Sequence, residues 1–185
     1  MNWDVSPELV ARIKDSIRRV EIDLPLRQVL AEDLPRDCAN LPITGGWGYT
    51  RQQAIVFVRD QFPNPSSPNF VSLEYLIAMK IAYEELIICR SKNDRFSEIR
   101  MTPTRQQLIN DGERCFDCLD FDISCWHDWH WYQLKHEFEE QDIPNRTKEE
   151  QQAHFTKKAE AMIVYKRQFW FDITDIHEHR QIVAK

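Results

Sequence analysis

Leu119-Asp120-Phe121-Asp122-Ile123-Ser124-Cys125 alternates apolar and polar residues along its whole length. Alternation of that kind puts one set of side chains on each face of a strand. The residues that follow change period. Trp131, Leu134 and Phe138 recur at i, i+3 and i+7, the spacing of a helix face, and predict a helix over residues 128–141. A strand running into a helix, in a chain that carries both signals elsewhere, points to the α+β class.

Toward the C-terminus, Thr147-Lys148-Glu149-Glu150 matches a capping box, in which the Thr hydroxyl and the Glu carboxylate satisfy each other's backbone N–H groups. Phe155, Ala159, Met162 and Ile163 then mark a helix face, and Phe169-Trp170-Phe171-Asp172-Ile173 reads as a last strand. The polar stretch 177–185 is expected to fray.

Toward the N-terminus, Ser6-Pro7 opens a helix expected over residues 7–20, with Leu9, Ile13, Ile17 and Val20 on one side. Its other side carries Arg12, Lys14, Arg18 and Arg19, a solvated helix face. A shorter helix is expected over Leu26–Glu32, stopping before Pro35, followed by an ordered loop at 33–49. Ala54-Ile55-Val56-Phe57-Val58 reads as a strand buried on both faces. The run Pro63 to Asn69, with Pro65, Ser66, Ser67 and Pro68, predicts a surface loop centred on 65–69.

Residues 72–84 are rich in helix formers, and Leu86-Ile87-Ile88-Cys89 after them reads as a strand. Ile99–Met101 suggests another short strand. Pro103 is expected to open a short helix through Leu108-Ile109 that ends near Asp111-Gly112. These elements assemble into a single α+β domain over residues 1–185, with one sheet of four or five strands and helices packed on it.

The chain has 185 residues, 42% of them hydrophobic, and a formal charge of −6. The composition supports a globular core. The charge argues against nucleic-acid binding through a basic surface and fits pairing with a basic partner. No stretch approaches the roughly 18 uninterrupted apolar residues that a membrane span needs. The N-terminal sequence has neither a basic region nor an apolar region of a secretory signal, so none is expected. Five cysteines are an odd number, and reduced thiols in a cytoplasm are the simplest expectation.

Three of the four glycines fall in Gly45-Gly46-Trp47-Gly48-Tyr49. Two readings stand. The loop presents Trp47 and Tyr49 as a binding surface, or it is a tight turn whose aromatics fold back onto the core. Asp120 and Asp122 share a strand face inside an acidic region that also holds Asp111, Glu113, Asp117 and Asp128. That face is a candidate surface for a basic partner, or a weak Mg²⁺ site.

Cys115-x-x-Cys118 followed by Cys125-x-His127-x-x-His130 is the one cluster of metal-ligand types. Its spacing departs from paired zinc knuckles, and Cys118 and Cys125 belong to opposite strand faces. No bound metal or cofactor is expected, and Cys115, Cys118, His127 and His130 are the weaker metal candidates. His127 and His130 flank Asp128, but neighbours in a helix do not face one another, so these histidines are read as flanking a helix start. No G-x-S-x-G, P-loop, G-x-G-x-x-G or H-E-x-x-H occurs.

Gly45-Gly46-Trp47-Gly48-Tyr49-Thr50, Ser72-Leu73-Glu74-Tyr75, Tyr83-Glu84-Glu85-Leu86-Ile87-Ile88 and Phe169-Trp170-Phe171-Asp172-Ile173-Thr174 resemble, in that order, segments of small bacterial proteins of unassigned function. The resemblance spans residues 40–175, implies a bacterial cytosolic protein, and carries no catalytic residue. The leading expectation is a small acidic protein-binding module, with an immunity protein that neutralises a toxin domain as its specific case. It would bind through the Gly45–Tyr49 loop with Asp120 and Asp122. The alternative is a small metal-dependent hydrolase using His127, His130 and nearby Asp or Cys. A structural subunit of a larger assembly is a third reading.

Overall fold

A computed structural model describes residues 5–62 and 70–176. The loop expected at 65–69 and the tail at 177–185 lie outside them. The fold is α+β, built on one five-stranded mixed sheet. The described residues divide into two compact units, residues 21–62, 70–83, 103–121 and 166–176, and residues 5–20, 84–102 and 122–165.

The sheet contains β1 (Ile43–Gly45), β2 (Ile55–Phe57), β3 (Phe96–Asp111), β4 (Arg114–His127) and β5 (Ile163–Asp172), in the order β1-β2-β5-β4-β3. β1 runs antiparallel to β2, with Ile43 opposite Phe57. β2 runs parallel to β5, with Ile55 opposite Phe171. β1 lies within the stretch expected to be loop. Three residues are too few to carry a period, and pairing with β2 makes them a strand.

In the first unit the core is aromatic. Phe57 stacks on Phe171 at 5.8 Å between centroids and meets Phe70 at the same distance. Phe121 meets Phe169 at 6.1 Å and Tyr75 at 5.5 Å. In β2, Ile55 and Phe57 are buried and Val56 half-buried, close to the expectation of a doubly covered strand. Helices α2 (Leu26–Asp33), α3 (Pro35–Cys38) and α4 (Phe70–Tyr83) complete this unit. α2 stops at Leu34, before Pro35, as the sequence predicts.

The helix expected from Pro103 to Asp111 is absent. Those residues form the second half of β3, and Gly112-Glu113 is the two-residue turn of a β3–β4 hairpin. Gly112 has φ +63°, the left-handed conformation that such turns demand and that glycine adopts without strain. Pro103 is tolerated because β3 lies at the sheet edge, where its missing N–H need not deprive the ladder of a donor.

The second unit holds α1 (Pro7–Asp15), α5 (Asp128–Glu140) and α6 (Lys148–Glu160). α1 starts as expected, with the Ser6 hydroxyl accepting from the Leu9 N–H, but it ends at Asp15 rather than at residue 20. The Ser16 hydroxyl donates to the Ile13 carbonyl, and Arg90 Nη2 donates to the Ser16 carbonyl at 3.0 Å. Both bonds satisfy the end of a helix rather than its continuation.

The strand expected at Leu86–Cys89 is also absent. α4 continues into a π-helical turn, Glu84–Ile88, in which the Cys89 N–H donates to the Glu84 carbonyl. An apolar run of four fits a buried helix as well as a strand. Here the preceding helix decides, and Arg90 Nε donates to the Glu85 carbonyl at 2.6 Å. The turn buries both Glu84 and Glu85; the Tyr165 hydroxyl donates to Glu85 Oε2 at 3.5 Å.

α6 forms with the expected capping box between Thr147 and Glu150. Its buried residue is His154, however, and Phe155 is exposed. The inward face is therefore set one residue, about 100° of helix rotation, from the expected one. Ile163 belongs to β5. Trp126, Leu134 and Ala161 form the buried cluster of this unit, with Val5, Trp131 and Met162 packed against it. No helix among the described residues is long and apolar enough to cross a membrane.

Candidate functional site

The Gly45–Tyr49 loop is pressed against the backbone of residues 53 and 54. Gly45 has φ +84°, and a Cβ there would come within 2.4 Å of the Ala54 carbonyl oxygen, so only glycine fits. The Gly48 N–H donates to the Gln53 carbonyl at 2.7 Å, and the Trp170 N–H donates to the Gly48 carbonyl at 2.8 Å. Trp47 Nε1 donates to the Leu24 carbonyl at 3.1 Å, and its ring stacks on Tyr49 at 6.2 Å. Tyr49 in turn meets Phe169 at 6.3 Å. Trp47 and Tyr49 are each 7% exposed. Of the two readings, the aromatics take the inward one.

The acidic region is largely answered from within. Asp120 is half-buried and accepts from Gln168 Nε2 at 2.8 Å, and Asp122 is half-buried and engaged. Asp111 pairs with Arg51 at 2.9 Å, and Asp128 accepts from the Ser97 hydroxyl at 2.6 Å. Asp117 is buried; it accepts from Gln106 Nε2 and is hydrogen-bonded to the buried carboxyl of Glu74. Two carboxyls in contact need a proton between them. Burial pushes the Asp117 carboxyl above its ordinary range, against the pull of its hydrogen bonds.

The cysteines and histidines of the weaker metal candidates are placed as follows. Cys115, Cys118 and Cys125 are buried. Burial pushes the Cys118 thiol up to about 11 and that of Cys125 up to about 12, so both are protonated thiols at neutral pH, not nucleophiles. His127 caps α5. Its Nδ1 accepts from the Trp129 N–H at 3.3 Å, and its Nε2 lies 3.7 Å from Asp94 Oδ1. His130 is fully buried, its ring 6.2 Å from that of His127. Among the described residues, no group of three or more His, Cys, Asp or Glu is placed to hold a metal.

A different part of the chain turns apolar surface outward. α5 and α6 pack together and leave a groove of 370 Å³ between them. Trp131, Leu134 and Phe138, the stripe legible in the sequence, form the α5 wall, with Lys135 and Glu139 at its rim. His154, Phe155 and Lys158 form the α6 wall.

Contacts next to the groove tie α5, α6 and the end of β4 together. Trp126 Nε1 donates to the Lys158 carbonyl at 2.9 Å, and Lys157 pairs with Glu137 across the helices at 2.8 Å. The Lys158 ammonium lies 4.9 Å from the Trp131 ring centroid and 5.5 Å from that of Trp126, a cation–π arrangement. His154 meets Phe138 at 5.5 Å and Phe155 at 5.8 Å. Burial holds its pKa below the usual histidine value, so it is neutral at neutral pH.

Phe155 is 51% exposed, and Tyr132 and Trp129 on α5 are 63% and 46% exposed. Of these three, Phe155 lines the groove. The α5 stripe is legible in the sequence, whereas Phe155, grouped there with Ala159, Met162 and Ile163, turns out to lie off the buried face of α6. Comparison with known proteins gives no match: no family model, no curated protein and no solved structure matches this chain.

Proposed function

We propose that this protein is a protein-binding module whose partner covers the α5–α6 face. The observation that carries this reading is the apolar groove between the two helices, with the Phe155 ring on its wall half in solvent. Aromatic anchors of this kind supply most of the energy of protein interfaces. The partner is a basic protein. The chain carries −6 overall, and α5 holds Asp128, Glu137, Glu139 and Glu140 against Lys135 alone among Lys and Arg. Such a field speeds the approach of a positively charged partner.

The specific case is a bacterial cytoplasmic immunity protein that blocks a basic toxin domain. Supporting it are the acidic charge, the lack of a catalytic motif, and five cysteines outside any disulfide, which fit a reducing compartment. Trp47 and Tyr49 have no part in the contact, because both are committed to the core.

Affinity purification of the tagged protein from its native host, followed by mass spectrometry, tests the reading. One stoichiometric basic partner is the expected result. A preparation free of any stoichiometric partner contradicts it.

A further inference from the structure

The geometry points to the element of the partner that enters the groove: an amphipathic helix whose apolar residues lie between α5 and α6, with an acidic residue facing Lys158 and a basic residue facing Glu139. This rests on the protein-binding reading and adds the form and polarity of the occupant.

Length is the first argument. The α5 wall runs from Trp131 to Glu139, about 12 Å along the helix axis. Anchors at i, i+4 and i+7 on a docking helix span about 10 Å, so two turns fit along the wall. The chemistry of the walls agrees. Trp131, Leu134, Phe138 and Phe155 offer apolar and aromatic surface along that length, and His154 is neutral there.

The rims decide the polarity. On the α6 side, Lys158 lies over two tryptophan rings and pairs with no carboxylate among the described residues. A carboxylate on the occupant would meet an ammonium already held in place. On the α5 side, Glu139 is paired among the described residues with Lys135 alone, at 3.8 Å, with both side chains exposed. Exposed pairs of that kind contribute little, so a cation of the occupant displaces Lys135 easily. The two rims therefore read opposite charges on the two flanks of one helix.

The test is a selection from a phage-displayed library of helix-forming peptides of about 16 residues, four turns or more. The wild-type protein should enrich peptides with apolar residues at i, i+3 or i+4, and i+7, and an acid on one flank with a base on the other. Phe155→Glu should weaken the enriched peptides by at least about tenfold. Lys158→Glu should exchange the acid for a base in the selected sequences. A matched melting transition for each variant excludes unfolding as the cause.

No enrichment, enrichment without periodic anchors, or binding unchanged in Phe155→Glu overturns the inference. The same flank preference with Lys158→Glu overturns its polarity. The two failures separate cleanly. A host partner held equally by wild type and Phe155→Glu removes the groove and leaves the binding module standing. No stoichiometric host partner removes the module itself.

Discussion

Two aromatic regions of this protein look alike in sequence and do opposite things. Trp47 and Tyr49 sit on a glycine-rich loop and are spent on the protein's own core. Trp129, Tyr132 and Phe155 sit on ordinary helices and remain in water. The difference lies in what each backbone offers its side chains. At Gly45 the chain turns with positive φ against residue 54, and the aromatics are brought onto Phe169 and the Leu24 carbonyl. On α5 and α6 the inward positions are taken by His130, Leu134 and His154, and Trp129, Tyr132 and Phe155 lie off that face.

Truncating the loop gives the largest effect. Trp47→Ala should destabilise the protein by about 3–5 kcal/mol, as expected for deleting a large buried aromatic. Chemical denaturation reads this as a fall in midpoint at constant slope. A loss under about 1 kcal/mol would mean that the loop is not core, and the comparison would break.

A smaller effect comes from Asp172. Burial alone would raise its pKa, but hydrogen bonds from Thr174 and Arg114 outweigh that and lower it. The stability it contributes is therefore present above the unfolded carboxylate pKa and lost as pH falls through the folded one. Asp172→Asn should cost about 1–2 kcal/mol at neutral pH and less in acid, by the weight of hydrogen bonds to a charged group.

Asp117 has the opposite sign. Its raised pKa means its contribution is full below the unfolded value and is lost as pH rises through the folded one. Asp117→Asn keeps an acceptor for Gln106 and gives Glu74 a donor. Melting at neutral pH should rise by an amount worth about 1 kcal/mol, and the gain should shrink toward pH 4. A drop at neutral pH would show that the Glu74–Asp117 contact is not a strained pair.

The smallest effect on stability belongs to the helix face. Phe155→Ala should change stability by no more than about 0.5 kcal/mol, because the ring is half in solvent. Beside Trp47→Ala, it sharpens the contrast between an aromatic held by the fold and one held in reserve.

The strand at 119–125, the helix after it and the capping box at Thr147 were legible because each is a local pattern. The β3–β4 hairpin was not, because Pro103 reads as a helix start until its strand is known to be an edge. Gly112-Glu113, a glycine-first pair of the kind a two-residue hairpin turn uses, is the signal that the proline masked. The π-helical turn at Glu84 was hidden in an apolar run that suits either element. The direction of Trp47 depends on Leu24 and Phe169, far away in sequence, and no local pattern holds that information. Half of the groove was readable as the Trp131, Leu134 and Phe138 stripe. The other half required knowing that α6 turns His154 inward rather than Phe155.

The most direct test of the account compares wild type with Phe155→Glu as bait in the native host, after both show the same melting transition. The account predicts one stoichiometric basic partner with wild type and its loss with the variant. Equal recovery of that partner on both baits would contradict the claim that the α5–α6 face is where this protein binds.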